Sequence, residues 1–118
     1  MGLVAAKAAY EHGDEWYEAM HKYVSENIAY TKQFIEEKLQ GIRFVENEGT
    51  YLVWLDFREL KLSENELESL IIKKAKLWLD SGRIFGKSGS AFQRINVACP
   101  RRTLEEALTR LEHAIKGL

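Results

Sequence analysis

Apolar residues along this chain keep a helical rhythm up to Gly41 and change to shorter, mixed rhythms after it. From Asp14 onward, Trp16, Met20, Tyr23, Val24, Ile28, Thr31, Ile35 and Leu39 recur in three- and four-residue steps, and Gly41 closes the run. The spacing predicts one helix over Asp14 to Leu39, about 26 residues and roughly 39 Å long at the α-helical rise. A domain of this size has a radius of gyration of only about 13 to 14 Å. The helix should therefore outrun its own domain and pack on something else as well. Ahead of it, residues 3 to 12 alternate Ala with larger groups, and Gly13 marks a break.

Beyond Gly41 the elements are shorter. Ile42 to Val45 reads as a strand, and Asn47-Glu48-Gly49 as the turn after it. Thr50 to Phe57 is nearly all apolar, rich in aromatic and β-branched residues, which predicts a central strand covered on both faces. Ser63-x-x-Glu66 has the form of a capping box and opens a helix with Leu67, Leu70 and Ile71 inside. Leu77 and Leu79 mark a further strand before Asp80-Ser81-Gly82. A loop with Gly86, Lys87, Ser88 and Gly89 lacks phosphate-cradle spacing and reads as a mobile hairpin. The run Phe92 to Cys99 is the next strand, ended by Pro100. Thr103-x-x-Glu106 repeats the capping box, and Leu104, Ala107, Leu108, Leu111, Ile115 and Leu118 stripe a last helix.

The order helix, two strands, helix, two strands, helix predicts an α/β (α+β) domain. Its small sheet of three or four strands is covered by helices and preceded by the long N-terminal helix. Residues 1–41 form the N-terminal segment and connecting helix, and residues 42–118 the core. The whole is one domain, since 118 residues leave room for one core.

Charge narrows the function. Seventeen basic against eighteen acidic residues give a net charge of −1, without the cationic excess that general nucleic-acid binding needs. No apolar run approaches the roughly 20 residues that span a bilayer, and the N-terminus lacks the order of a signal peptide. The lone Cys99 allows no internal disulfide and fits a reducing compartment, so the cytoplasm is the expected location. His12, His21 and His113 are scattered, with no pair at helical metal-site spacing, so no metal site is expected.

One residue stands out. At a period of two, Ile95, Val97 and Cys99 share one face of their strand, and Phe92, Arg94, Asn96 and Ala98 the other. A guanidinium in mid-strand is costly to desolvate. Either Arg94 pairs with a carboxylate of the core, with Asp56 and Glu48 as candidates, or it stands open toward an anion. A guanidinium holds a carboxylate by two parallel hydrogen bonds and fixes its angle, which a lysine cannot do.

Gly82-x-x-Phe85-Gly86 followed by Phe92-x-Arg94-x-Asn96-x-Ala98-Cys99-Pro100-Arg101 resembles the C-terminal signature of pyridoxal-phosphate enzymes of the class I/II aminotransferase fold, nearest their cystathionine β-lyase branch. Glu48 to Phe57 is similar to that family's small-domain strand. The resemblance implies that Arg94 receives the α-carboxylate of an amino-acid substrate, with Thr50 and Tyr51 near it, simple sheet packing being the alternative for both. Asn96, on the face of Arg94, could orient it or close a strand-end hydrogen bond. It also implies that the Schiff-base lysine and the phosphate cup belong to a large domain outside this sequence. No catalytic residue, and no bound pyridoxal phosphate, is then expected of the chain alone, and the uncovered helix predicts a homo-oligomer. A stand-alone α/β binding or interaction module with no catalysis is the alternative reading.

Overall fold

A computed structural model describes all of residues 1–118. Two helices come first, α1 (Gly2–His12) and α2 (Asp14–Lys38), then strands β1 (Arg43–Phe44) and β2 (Leu52–Asp56). Helix α3 (Glu64–Ser69) runs on into a wider turn over Leu70–Lys74, and β3 (Asp80–Ser81), β4 (Phe92–Asn96) and α4 (Arg101–Lys116) complete the chain. The four strands form one antiparallel sheet in the order β1-β2-β4-β3. The predicted class holds, and so does the element order from α2 onward; α1 is a helix that the pattern did not predict.

Burial separates the sheet's two faces. Val53, Leu55, Ile95 and Val97 point into a core closed by Ile35 of α2, Leu67, Leu70 and Ile71 of α3 and its turn, and Leu104, Leu108 and Leu111 of α4. The expected cover on both faces is not there. The helices lie on one face only, and the other leaves Leu52, Trp54, Phe92 and Arg94 half-buried.

The Ser63 capping box is formed as predicted. Ser63 Oγ accepts the Glu66 N–H (3.4 Å), and a Glu66 carboxylate oxygen accepts the Ser63 N–H (2.8 Å). Its expected repeat at Thr103 is not formed. Pro100 holds an extended ψ of 138° and α4 begins at once, so the Thr103 N–H already donates to the Pro100 carbonyl (2.9 Å). Thr103 is inside the first turn and cannot cap it. Glu106 pairs instead with Arg110 one turn on. The strand expected at Leu77 and Leu79 also moves: those two side chains pack half-buried against the core, and the paired residues are Asp80 and Ser81. The loop after them is folded on itself rather than an open hairpin. Gly82 and Gly89 touch so closely that a Cβ on Gly82 would lie 2.1 Å from the Gly89 carbonyl oxygen.

Helix α2 is 25 residues long, and all of its fully buried residues lie in its second half. Asn27, Thr31, Phe34 and Ile35 are buried, whereas Trp16 is 71% exposed and Tyr17 57%. The predicted stripe is continuous in sequence, but the domain ends beneath its middle. The radius of gyration is 16.5 Å, above the compact value, and the longest dimension is 50 Å. No helix is long and apolar enough to cross a membrane.

Candidate functional site

On the uncovered sheet face, register sets the neighbours. Arg94 lies between Asp80 of β3 and Trp54 of β2 in one cross-strand row. Phe92, Asp56 and Arg43 form the adjacent row. Arg94 Nε and Nη2 both donate to a single Asp80 oxygen, at 3.1 and 2.8 Å. The Phe85 ring centroid lies 4.6 Å from the guanidinium carbon, a cation–π contact. Trp54 meets Phe85 edge-on at 5.2 Å and Phe92 at 6.4 Å, so three aromatic rings floor the face. Arg58 sits over the far side of that floor, 5.2 Å from the Phe92 centroid.

The partner of Arg94 is therefore neither Asp56 nor Glu48. Asp56 is committed elsewhere. Arg58 Nε donates to both its oxygens (3.0 and 3.1 Å), Arg58 Nη2 donates to Oδ2 (2.7 Å), and the Arg58 backbone N–H donates to Oδ1 (3.0 Å). Arg43 Nη2 adds a bond at 2.9 Å. The Arg58 side chain foremost, then its backbone and Arg43, hold the Asp56 carboxyl down at about 2 against the opposing effect of burial. Glu48 is exposed in the turn.

Arg94 is also not buried outright. Its side chain is 24% exposed and its Asp80 partner 44%. Asp80 occupies the side edge of the guanidinium, and Nη1 makes no hydrogen bond within the chain. The end-on edge, two parallel N–H groups that match a carboxylate, is left available.

The other predicted residues gather one row away, because Leu52 stands opposite Asn96. Asn96 is exposed, and its Oδ1 accepts the Ala98 N–H (2.9 Å), closing the strand end. It makes no hydrogen bond to Arg94; Asp80 does that instead. Tyr51 is 46% exposed, with its carbonyl accepting the Val97 N–H. Thr50 holds φ at 62°, a left-handed conformation that costs a β-branched residue about 1 kcal/mol or more. Its Oγ1 accepts the Leu52 N–H and its carbonyl accepts from Asn47. Sequence reasoning missed Asp80, placed just past the expected strand, and gave Phe85 no role although it stands in the quoted motif. Only the hairpin register brings either to Arg94.

This small domain thus combines a held guanidinium on an aromatic-floored sheet face with a helix that outruns its core. Comparison with known proteins makes the class definite: the chain belongs to the pyridoxal-phosphate-dependent aminotransferase and carbon–sulfur lyase family, as its small C-terminal domain. It is 32% identical to cystathionine beta-lyase PatB of Bacillus subtilis over 96% of its length, and 31% identical to protein MalY of Escherichia coli over all of it. The chain spans only 29% and 30% of those two relatives. Among solved structures, a PLP-bound protein of Clostridium difficile 630 superposes over 96% of the chain and 29% of its own, with TM-score 0.92 and 46% identity. Cystalysin of Treponema denticola, which contains pyridoxal 5'-phosphate, covers 92% of the chain and 28% of its own at TM-score 0.88 and 38% identity. No family model matches the chain.

The residues present do not fit that cofactor. A Schiff-base lysine must be desolvated and readily deprotonated. No strand carries a lysine, and every lysine is exposed except half-buried Lys32. Its bond to Glu46 (2.8 Å) pushes its pKa up, the wrong direction.

Proposed function

We propose that this chain is the substrate-closing domain of a pyridoxal-phosphate-dependent aminotransferase or carbon–sulfur lyase, and that Arg94 receives the α-carboxylate of the amino-acid substrate. The observation that carries this reading is the guanidinium fixed along its side edge with its end-on edge left over. Thr50 and Tyr51, where the chain enters β2, and Asn96, at the end of β4 on the Arg94 face, are assigned to the substrate's surroundings. In this role the chain binds and orients, while the chemistry of the cofactor belongs to the large domain that the relatives' extra length supplies.

The test joins this chain to a cofactor-binding large domain, its own or that of a relative such as cystalysin. Arg94→Leu is expected to raise KM for the amino acid about ten- to a hundredfold, the worth of a charge-assisted pair, with the cofactor spectrum unchanged. An unaltered KM would sink the assignment. In the 118-residue chain the same substitution should cost about 1 kcal/mol or less, because the Asp80 left behind is 44% exposed and solvated. A loss of about 3 to 5 kcal/mol, typical of a broken buried pair, would mark Arg94 as a fold residue instead.

The uncovered helices bear on assembly. Tyr10, Trp16 and Tyr17 are each more than half exposed around the α1–α2 junction at Gly13, and monomers rarely leave large apolar patches. The isolated chain is expected to self-associate there. Sedimentation at about 100 μM, a range in which micromolar contacts are populated, should show a species heavier than the monomer. Trp16→Glu with Tyr17→Glu should abolish it; a wild-type chain that stays monomeric would refute the idea.

A further inference from the structure

Arg94 is held in two ways at once, and neither hold uses the end-on Nη1/Nη2 edge, which remains for a second carboxylate. Asp80 Oδ2 takes the Nε–H and one Nη2–H, so it blocks rotation of the guanidinium within its own plane. Phe85 covers one face of that plane at 4.6 Å. Trp54 braces Phe85 from beside, edge-on at 5.2 Å. Both holds come from the β3–β4 hairpin: Asp80 by direct pairing with Arg94, Phe85 from the turn over Gly82–Phe85. That turn packs on the following one through Gly82 and Gly89, where no Cβ fits. The Gly82-x-x-Phe85-Gly86 motif thus has a mechanical task at this site.

We infer that Asp80 and Phe85 are positioning residues that set the end-on edge of Arg94 toward an incoming carboxylate before it arrives. The inference rests on the carboxylate-receptor reading and adds the residues that orient the receptor. An arginine side chain otherwise samples many rotamers and loses them on binding; one already held loses less, which is preorganisation. Charge alone predicts the opposite sign for the key variant. Neutralising Asp80 removes a negative group from beside the receptor and would tighten anion binding. At a site this open to water the charge effect is screened, and the ordering effect dominates.

The 118-residue chain labelled with 15N-arginine provides the test, with L-alanine as the probe. In the wild type the Arg94 side-chain signals should report slow guanidinium rotation and a saturable shift on titration. Asp80→Asn should speed the rotation and weaken L-alanine binding about tenfold, against the charge expectation, and Asp80→Glu should restore most of the loss. If Asp80→Asn binds as well as or better than wild type, the positioning role is overturned while the receptor reading stands. If the wild-type chain shows no saturable response at Arg94, the receptor reading falls and this inference with it. Should Asp80→Asn fail to fold, Phe85→Leu keeps the ion pair and removes the stack. It should weaken binding about threefold, and unchanged binding would overturn the inference in that case.

Discussion

Asp56→Ala is expected to lower the stability of this chain by about 3 kcal/mol, a loss at the low end of the range for a broken buried pair. Asp56 is only 4% exposed and accepts bonds from two arginines and one backbone N–H. Removing it leaves all three without their acceptor, next to a central strand. The value stays low in the range because the Arg43 and Arg58 side chains are themselves 65% and 59% exposed and can turn to water. Asp56→Asn, which keeps the shape and drops the charge, should cost less. A carboxyl lowered from 3.8 to about 2 is linked to about 2.5 kcal/mol at most, and solvent around the arginines reduces that to about 1 to 2.

The sign of the pH dependence follows from the lowered value. The Asp56 contribution is fully present above the unfolded value near 3.8 and is lost as pH falls through about 2. Denaturant midpoints of wild type and Asp56→Asn should therefore differ at pH 7 and converge on acidification toward pH 2. Midpoints that differ equally at both pH values would remove the ion network from the account.

Asn27→Ala should cost about 2 to 3 kcal/mol, although it replaces a polar residue on a helix. Asn27 is fully buried, and its amide donates to the carbonyls of Val97 (2.8 Å) and Cys99 (2.9 Å). These two bonds tie the exit of β4 to α2 across 70 and 72 residues of sequence. Alanine leaves both carbonyls without that donor and opens a void. Asn27→Asp should be worse than alanine at neutral pH, since a carboxylate would face two carbonyl oxygens. It should partly recover in acid, where a protonated carboxyl can donate once. Denaturant unfolding at pH 7 and pH 4 of the three chains checks the order. An alanine variant as stable as wild type would show that the latch contributes nothing.

How far the sequence could be read depended on how far each interaction reaches along the chain. The stripe from Trp16 to Leu39, the Ser63 capping box and the alternation around Arg94 are local. Helical spacing, one side chain reaching three residues, or a two-residue period is enough to read them. The quoted motif also placed the family. The second capping box failed because Pro100 lets α4 start before Thr103, a competition that the four-residue pattern alone does not contain.

What only the tertiary structure decided is which carboxylate meets which arginine, and where the core ends. Asp80 reaches Arg94 through a hairpin whose register depends on how its turns fold. Asp56 goes to Arg58 and Arg43, and Asn27 finds carbonyls that no helical period could predict. The stripe on α2 is uniform, yet Ile35 is 1% exposed and Trp16 71%, because the sheet beneath is shorter than the helix. Patterning selects the face a residue turns inward; burial and pairing follow only when another part of the chain, distant in sequence, arrives there.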